Sequence, residues 1–416
     1  MENKNKIYDC LIIGGGASGM MTAAIASAQN KSVLVVEKNK SLGEKLKITG
    51  GGRCNITNAE EDIHILLSHY GSAKQFLYGA FAQFGTKDTF SFFEKRGLPL
   101  VVQARKRAFP HTEKALDVYN VLKKEIDKNK VEIKTNTTVK KIVKKGDSIE
   151  CIETSNGTFY AKSFVLALGG PSHPETGATS DGFNFLKDLG HKVKDPTASI
   201  VPLEVADDWV KMLAGVSLSF MKITFFLEDK KSFSKTGKIL FTHFGLSGPL
   251  ILNSASRVSD LLQSGKVTAF VDAYPDTSHG ALEEKILKVF DNNKNKILKT
   301  VFKEIVPEGM HKALESLLSV QIDFTTKVHS VKKDDRKKIV HILKALPISI
   351  TNLMGYDRAV VCDGGVDLQQ IDMKTMRSLL FKNLYVTGDL LDINRPSGGY
   401  GLQLCWTTGY VAGKSV

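Results

Sequence analysis

The segment IYDCLIIGGGASGMMTAAIASAQNKSVLVVEKN, residues 7–39, constrains this chain more than any other. Ile7 to Ile13 is a mostly apolar run of buried-strand length, Met20 to Ala28 is rich in helix formers, and Ser32 to Val36 is apolar and β-branched. Between the first two lies Gly14-x-Gly16-x-x-Gly19. In such a turn the first glycine allows the tight bend, the second lets a pyrophosphate approach the backbone, and the third permits close packing of helix on strand. The triplet alone carries little, since a glycine turn beside a solvent-facing glutamate reads the same way. Its context is complete, however: Glu37 ends the second strand about 20 residues on, where an acid binds ribose hydroxyls. An acid there disfavours an adenosine 2′-phosphate, so the expected ligand is FAD or NAD and the expected fold class is α/β.

Three further segments are glycine-rich. In KITGGGRCNITN, residues 47–58, Gly50, Gly51 and Gly52 precede Arg53, Cys54 and Asn55, which suits neither helix nor strand. Turn chemistry alone makes it a surface turn, although glycine also admits positive φ and close approach of another group. FVLAL, residues 164–168, reads as a buried strand ending in Gly169-Gly170-Pro171, with Thr176-Gly177 and then Asp181-Gly182 ahead of a helix. Upstream, Val131 to Val143, Ser148 to Thr154 and Thr158 to Ala161 read as a small β-meander. Near the C-terminus a strand, Asn383 to Val386, runs into Thr387-Gly388-Asp389, and Gly398-Gly399-Tyr400-Gly401 opens a final helix, Leu402 to Ala412. That arrangement suits Asp389 on a ribityl chain and a flavin pyrimidine edge facing the helix N-terminus, whose dipole stabilises negative charge on reduced flavin. The plainer alternative is a glycine turn and helix cap.

The 416 residues suggest two or three domains of a soluble globular protein. The net charge of +13 comes from lysines spread over runs such as Lys140 to Lys145, Lys294 to Lys299 and Lys327 to Lys338, as on solvated faces. No RNA-binding module or aromatic-basic platform accompanies them, which argues against nucleic acid as a partner. Cys10, Cys54, Cys151, Cys362 and Cys405 are scattered, with no CxxC pair, so neither a disulfide framework nor a metal site is expected, and a reducing cytoplasm is. Lys4 and Lys6 precede an apolar run as in a signal peptide, but Asp9 interrupts it; no other segment approaches a membrane span.

Between Pro196 and about Leu346 the character changes. Ser199 to Val205, Lys222 to Glu228, Lys238 to Thr242 and Lys266 to Asp272 read as strands, and Leu282 to Phe290, Ile297 to Phe302, Met310 to Leu318 and Asp335 to Leu343 as helices. Within FTHFGLSGPLIL, residues 241–252, Gly245 and Gly248-Pro249 turn into a helix for which Ser247 is a simple cap. His243 is the acid–base candidate there, although a lone histidine is more often structural.

Taken together, the segments resemble the BaiN/YhiN-like bacterial NAD(P)/FAD-dependent oxidoreductases, some called aminoacetone oxidase family enzymes. The resemblance runs along nearly the whole chain and rests on IIGGGASGMMTA, KLKITGGGRCNITN, FVLALGGPSHPETGATSDGF, KILFTHFGLSGPLIL and NLYVTGDLLDINRPSGGYGLQ. It implies a glutathione-reductase-type, Rossmann-like FAD domain in two parts, 1–195 and 349–416, interrupted by a β-barrel plus helical domain, 196–348. Two positions depart from the pattern: Gly401 stands where Asn is frequent, and Leu379 where Lys is frequent.

The FAD contacts then expected are Gly14, Gly16, Ala17, Ser18 and Gly19 in the first turn, Glu37 and Lys38 after the second strand, and Lys45. The loop Thr49, Gly50, Gly51, Gly52, Arg53, Cys54 and Asn55 would meet the flavin, with Arg53 and Asn55 holding it through side-chain or backbone hydrogen bonds. Val139, Gly169, Gly170, Thr176 and Gly177 follow, then Gly388, Asp389, Gly398, Gly399, Tyr400, Gly401 and Leu402. Cys54 invites a thiol–flavin exchange, against which stands the want of a partner cysteine nearby. The expected activity is hydride transfer between flavin N5 and a small organic substrate, by amine or ketone oxidation or by enone reduction. NAD(P)H is expected as a transient donor without a domain of its own, since no second GxGxxG follows a strand. The alternatives are a flavin-dependent RNA-modifying or RNA-binding protein, and a flavin-binding partner protein without turnover.

Overall fold

A computed structural model describes residues 6–416; Lys4 of the N-terminal run lies outside the described residues. Contacts divide the chain into two units, Met1–Ala198 with Ala359–Val416, and Ser199–Arg358. In the first, β1 (Ile7–Ile13) passes through the glycine turn into α1 (Ala17–Ser27) and β2 (Val33–Val36). The helix begins three residues before the run of helix formers, because Gly16 is extended and Ala17 to Gly19 supply the first turn. A small antiparallel sheet of β3 (Thr57–Asn58), β4 (Leu100–Gln103) and β5 (Arg107–Pro110) follows. Then come β6 (Glu132–Lys134), β7 (Val139–Lys145), β8 (Ser148–Thr154), β9 (Gly157–Leu166) and β10 (Val193–Ser199).

The second unit contains a closed barrel. Its strands are β11 (Leu203–Val205), β12 (Ser217–Leu227), β13 (Lys230–Thr242), β14 (Gly245–Ser247), β15 (Val267–Asp272) and β16 (Leu346–Leu353), closed in the order β11-β14-β13-β12-β15-β16. Ile223, Phe225, Ile239, Phe241, Leu246, Ala269 and Val271 are fully buried, so this is a packed core. Three expectations are corrected here. The strand expected over residues 199–205 is broken at Ile200, with φ 49°, and Pro202, so β10 belongs to the first unit and β11 to the barrel. The boundary expected at 348 falls at Arg358, because β16 pairs with both β15 and β11 and closes the barrel. Ser247 is a strand residue; the short helix Pro249–Leu252 takes Gly248, at φ 92°, as its N-cap. Helices His279–Asn292, His311–Leu318 and Lys333–Lys344 present apolar faces such as Leu282, Ile286 and Phe290 at helical spacing.

The chain re-enters the first unit with β17 (Val361–Val366), paired with β10, and β18 (Leu384–Val386), and ends in the helix Tyr400–Ser415. The seven-stranded sheet runs β6-β2-β1-β9-β8-β7, with β18 on β9. The meander's last strand and FVLAL prove to be one strand that changes neighbours. Residues 157–160 of β9 pair antiparallel with β8, residues 164–166 pair parallel with β18, and β1 lies parallel along the other edge. No helix among the described residues is long and apolar enough to cross a membrane.

What joins the first and last segments is a glycine contact between α1 and the C-terminal helix. Thr22 Oγ1 donates to the Gly409 carbonyl at 3.1 Å, and Gln29 Nε2 to that of Gly413 at 2.7 Å. A Cβ on Gly409 would sit 2.6 Å from the Ser18 carbonyl oxygen, and one on Gly413 2.9 Å from that of Thr22. Gly409→Ala is therefore expected to force the helices apart at a cost of roughly 1–3 kcal/mol. Gly79→Ala, where a Cβ meets nothing within 4 Å in a helix interior, is expected to stabilise by up to about 1 kcal/mol. Thermal melting of the two variants checks both signs; equal melting temperatures would sink the account.

Candidate functional site

The β1–α1 turn divides its glycines between packing and ligand. Gly14, at φ 100°, would place a Cβ 2.7 Å from the Ala167 carbonyl oxygen, and Gly19 would place one 2.0 Å from the Gly14 carbonyl oxygen. Both are demanded by the fold. A Cβ on Gly16 meets nothing within 4 Å, and no side chain caps α1, so its first-turn N–H groups face open space. This is a cradle for an anionic group. Ala17 is half-buried beside it, while Ser18 is buried and its Oγ accepts from Thr387 Oγ1 at 3.2 Å, binding the turn to the strand end before Gly388.

A groove of about 680 Å³, open to solvent, extends from this turn. Glu37 lines it and is buried; its Oε2 accepts from Gly15 N at 2.8 Å and its Oε1 from Asn39 N at 2.9 Å. Each oxygen keeps a lone pair for a ribose hydroxyl. Lys38, Lys45, Val139, Thr176 and Gly177 also line the groove. Asn39, Thr137, Thr138 and Thr179 line it too and were missed, because polar residues in loops give no periodic signal. Asn39 Nδ2 donates to Thr176 O at 3.0 Å and Lys38 Nζ to Thr179 Oγ1 at 3.4 Å, which ties the 176–179 loop across the groove. Lys45 Nζ donates to Gly170 O at 2.9 Å and Ser172 Oγ at 3.1 Å. Burial lowers the Lys45 pKa, against the opposing pull of Asp389. Gly169 is left-handed and open, while Gly170 packs on Cys362.

The loop after the short helix Glu44–Ile48 is a run of left-handed residues. Gly50, Gly51, Gly52 and Cys54 have φ of 59°, 68°, 85° and 58°, and Gly51 and Gly52 are exposed with nothing near a built Cβ. Thr49 Oγ1 fastens the loop to Leu46 O at 2.7 Å. The side-chain expectations for Arg53 and Asn55 are corrected. Arg53 is spent on Glu113, on Gln103 at 2.9 Å and on the face of Phe109. Asn55, with its amide turned to satisfy both ends, donates to Thr57 O and Ala108 O and accepts from Gly399 N at 3.0 Å. What the loop still offers a flavin is backbone. Cys54 is fully buried, and burial pushes its thiol up to about 12, so no thiolate stands ready for exchange.

The same neighbourhood receives the C-terminal segment. Gly388, at φ 63°, donates its N–H to Thr408 Oγ1 at 3.0 Å. Gly398 accepts from Asn58 Nδ2 at 3.2 Å, and Gly399, at φ 100°, would drive a Cβ to 2.2 Å from the Thr57 carbonyl carbon. Tyr400 begins the helix, two residues before the expected start, with Gly401 and Leu402 partly exposed in its first turn. Asp389 is corrected as a free ribityl ligand: it is ion-paired with Arg395, whose side chain is 1% exposed. Nothing in the sequence marks Arg395 as buried.

The motif residues thus all fall in the first unit, which suits FAD by its open Gly16 cradle, its acid at the ribose position and its uncovered glycine loop. His243 lies in the second unit, exposed at the turn between β13 and β14, with its ring edge-on to Phe244 at 4.9 Å.

Comparison with known proteins agrees. The family profile described as the HI0933-like protein Rossmann domain matches residues 8–415. A 3-dehydro-bile acid delta(4,6)-reductase of Clostridium scindens is 29% identical over 97% of this chain and 98% of its own. A ribosomal RNA dihydrouridine synthase of Haemophilus influenzae is 29% identical over 98% of each. Among solved structures, 3-ketosteroid delta1-dehydrogenase from Sterolibacterium denitrificans shares the fold at a TM-score of 0.54 and 12% identity, over 98% of both chains. The chain belongs to the HI0933-like family of FAD-dependent oxidoreductases.

Proposed function

We propose that this oxidoreductase adds hydride to a carbon–carbon double bond conjugated to a carbonyl. The observation that carries the direction is that two relatives with unlike substrates are named for one bond change. A delta(4,6)-reductase acting on a 3-oxo steroid and an enzyme making dihydrouridine both saturate a double bond in line with a carbonyl. Amine or ketone oxidation has no comparable support. Bound FAD would supply the hydride at N5.

The residues of this chain would do the rest. Gly16 and the α1 N-terminus hold the pyrophosphate, Glu37 the ribose hydroxyls, and Gly50 to Gly52 give the flavin a backbone face without side chains. The helix start at Tyr400 favours the electron-rich reduced state. His243 is the proton donor that the sequence motif nominates. NAD(P)H reduces the flavin transiently, and the setting is the cytoplasm, to which the five free cysteines are suited.

A second reading places the double bond in RNA. It is favoured by the +13 charge and by the turn Ala104–Lys106, where Arg105 and Lys106 are exposed and left-handed at φ 60° and 55°. Asn58 Nδ2 donates both to Arg105 O and to Gly398 O, each at 3.2 Å, so this basic turn is anchored to the start of the C-terminal helix.

Two outcomes are expected. Gly16→Val fits the protein without a clash, so it should fold and melt like the parent yet purify colourless; a variant that keeps its full FAD would mean the pyrophosphate lies elsewhere. Anaerobic mixing with NADH or NADPH should bleach the flavin slowly, saturating only at high nicotinamide concentration. The reduced enzyme should then be reoxidised by a cyclic enone. Reoxidation by unmodified ribosomal RNA alone selects the second reading, and reduction by an amine with reoxidation by oxygen only would overturn both.

A further inference from the structure

The buried guanidinium of Arg395 carries a donor that the protein leaves unused. Its Nη1 donates to Ile393 O at 2.8 Å and its Nη2 is paired with Asp389, but its Nε has no partner, although the side chain is 1% exposed. A charged donor stranded at that depth is costly, and its partner is commonly a ligand. The direction in which Nε faces is given by Gly401: a Cβ built there would lie 3.5 Å from Nε and 4.0 Å from Nη2. Nε therefore looks onto the first turn of the C-terminal helix, whose N–H groups have no carbonyl of a preceding turn to donate to.

Two kinds of donor thus converge on one small space, a 16-residue helix terminus and a buried cation held in place by Asp389. Glycine at 401 keeps that space open, for its φ is not left-handed and a side chain there would be free of backbone strain. We infer that Arg395 Nε donates to a carbonyl of the flavin pyrimidine edge, and that Gly401 is the residue which admits it. The inference rests on the reading of Gly398 to Gly401 as the flavin-edge site. Arg395 is a positioning residue in this role, and its effect is electronic: a directed cationic hydrogen bond favours the more electron-rich reduced cofactor and raises its midpoint potential.

Gly401→Asn, Gly401→Ala and Arg395→Lys test it, with FAD supplied in excess. Ala at 401 meets nothing closer than 3.5 Å, Asn offers Nε an acceptor that competes with the flavin, and Lys keeps a charge for Asp389 without the directed Nε donor. The readouts are the two-electron midpoint potential and the affinity of bound oxidised flavin for sulfite, which positive charge near the pyrimidine edge strengthens. Gly401→Asn and Arg395→Lys should each weaken sulfite binding about tenfold and lower the potential by about 30 mV, the two-electron equivalent of tenfold. Variants that bind FAD with unchanged potential and sulfite affinity overturn the inference, and a raised substrate KM with unchanged potential does so by assigning Nε to the substrate. A Gly401→Ala protein unable to bind added FAD also counts against it, because losing one donor weakens cofactor binding without abolishing it. The underlying reading fails separately, if Gly16→Val retains its flavin.

Discussion

The cofactor site depends on two helices touching backbone to backbone. Ser18 and Gly409 lie at opposite ends of the chain, yet only a missing Cβ lets them meet, and Thr22 is hydrogen-bonded to Gly409 across 387 residues. Because α1 starts at Gly16 and the C-terminal helix starts at Tyr400, this contact fixes the phosphate cradle relative to the flavin-edge segment. Thr387 and Thr408 extend it with hydrogen bonds to Ser18 and Gly388. A site assembled this way forms only when the whole first unit folds, with the second unit looped out between β10 and β17.

Glycine serves two physical ends in that unit. Gly14, Gly19, Gly399 and Gly409 have no room for a Cβ, so their constraint is internal packing. Gly16, Gly51 and Gly52 have room on the protein side, so their constraint comes from outside the polypeptide. The distinction separates the fold's requirements from the cofactor's, which a motif alone merges. It also explains why side chains such as Arg53, Asn55 and Asp389 turn inward: they brace the backbone that the cofactor meets. Bracing of this kind is what preorganised electrostatic sites require, since donors that must reorient at the moment of reaction lose most of their value.

The buried charges near the C-terminal segment follow the same logic. Arg395 paired with Asp389, and Lys45 tied to Gly170 and Ser172, are costly to bury and are no simple source of stability. Their geometry instead fixes cations where a reduced flavin accumulates negative charge. The thiols take no such part: Cys54 and Cys405 are pushed up to about 12 by burial, which leaves hydride chemistry to the cofactor.

The sequence alone determined the β1–α1–β2 unit, because strand and helix periods and the glycine spacing are local properties of one short segment. Five-residue patterns also sufficed for β8 and for the helices of the second unit, although β12 and β13 proved longer than their apolar runs, since half-buried strands alternate with lysine and serine. Only the tertiary structure decided the rest. That β16 closes the barrel depends on pairing with two strands distant in sequence, and that β9 serves two sheet regions depends on its neighbours. Whether Arg53 faces a cofactor or Glu113, and whether Arg395 is exposed or sealed against Asp389, is settled by side-chain packing between segments dozens to hundreds of residues apart, and no local pattern encodes it.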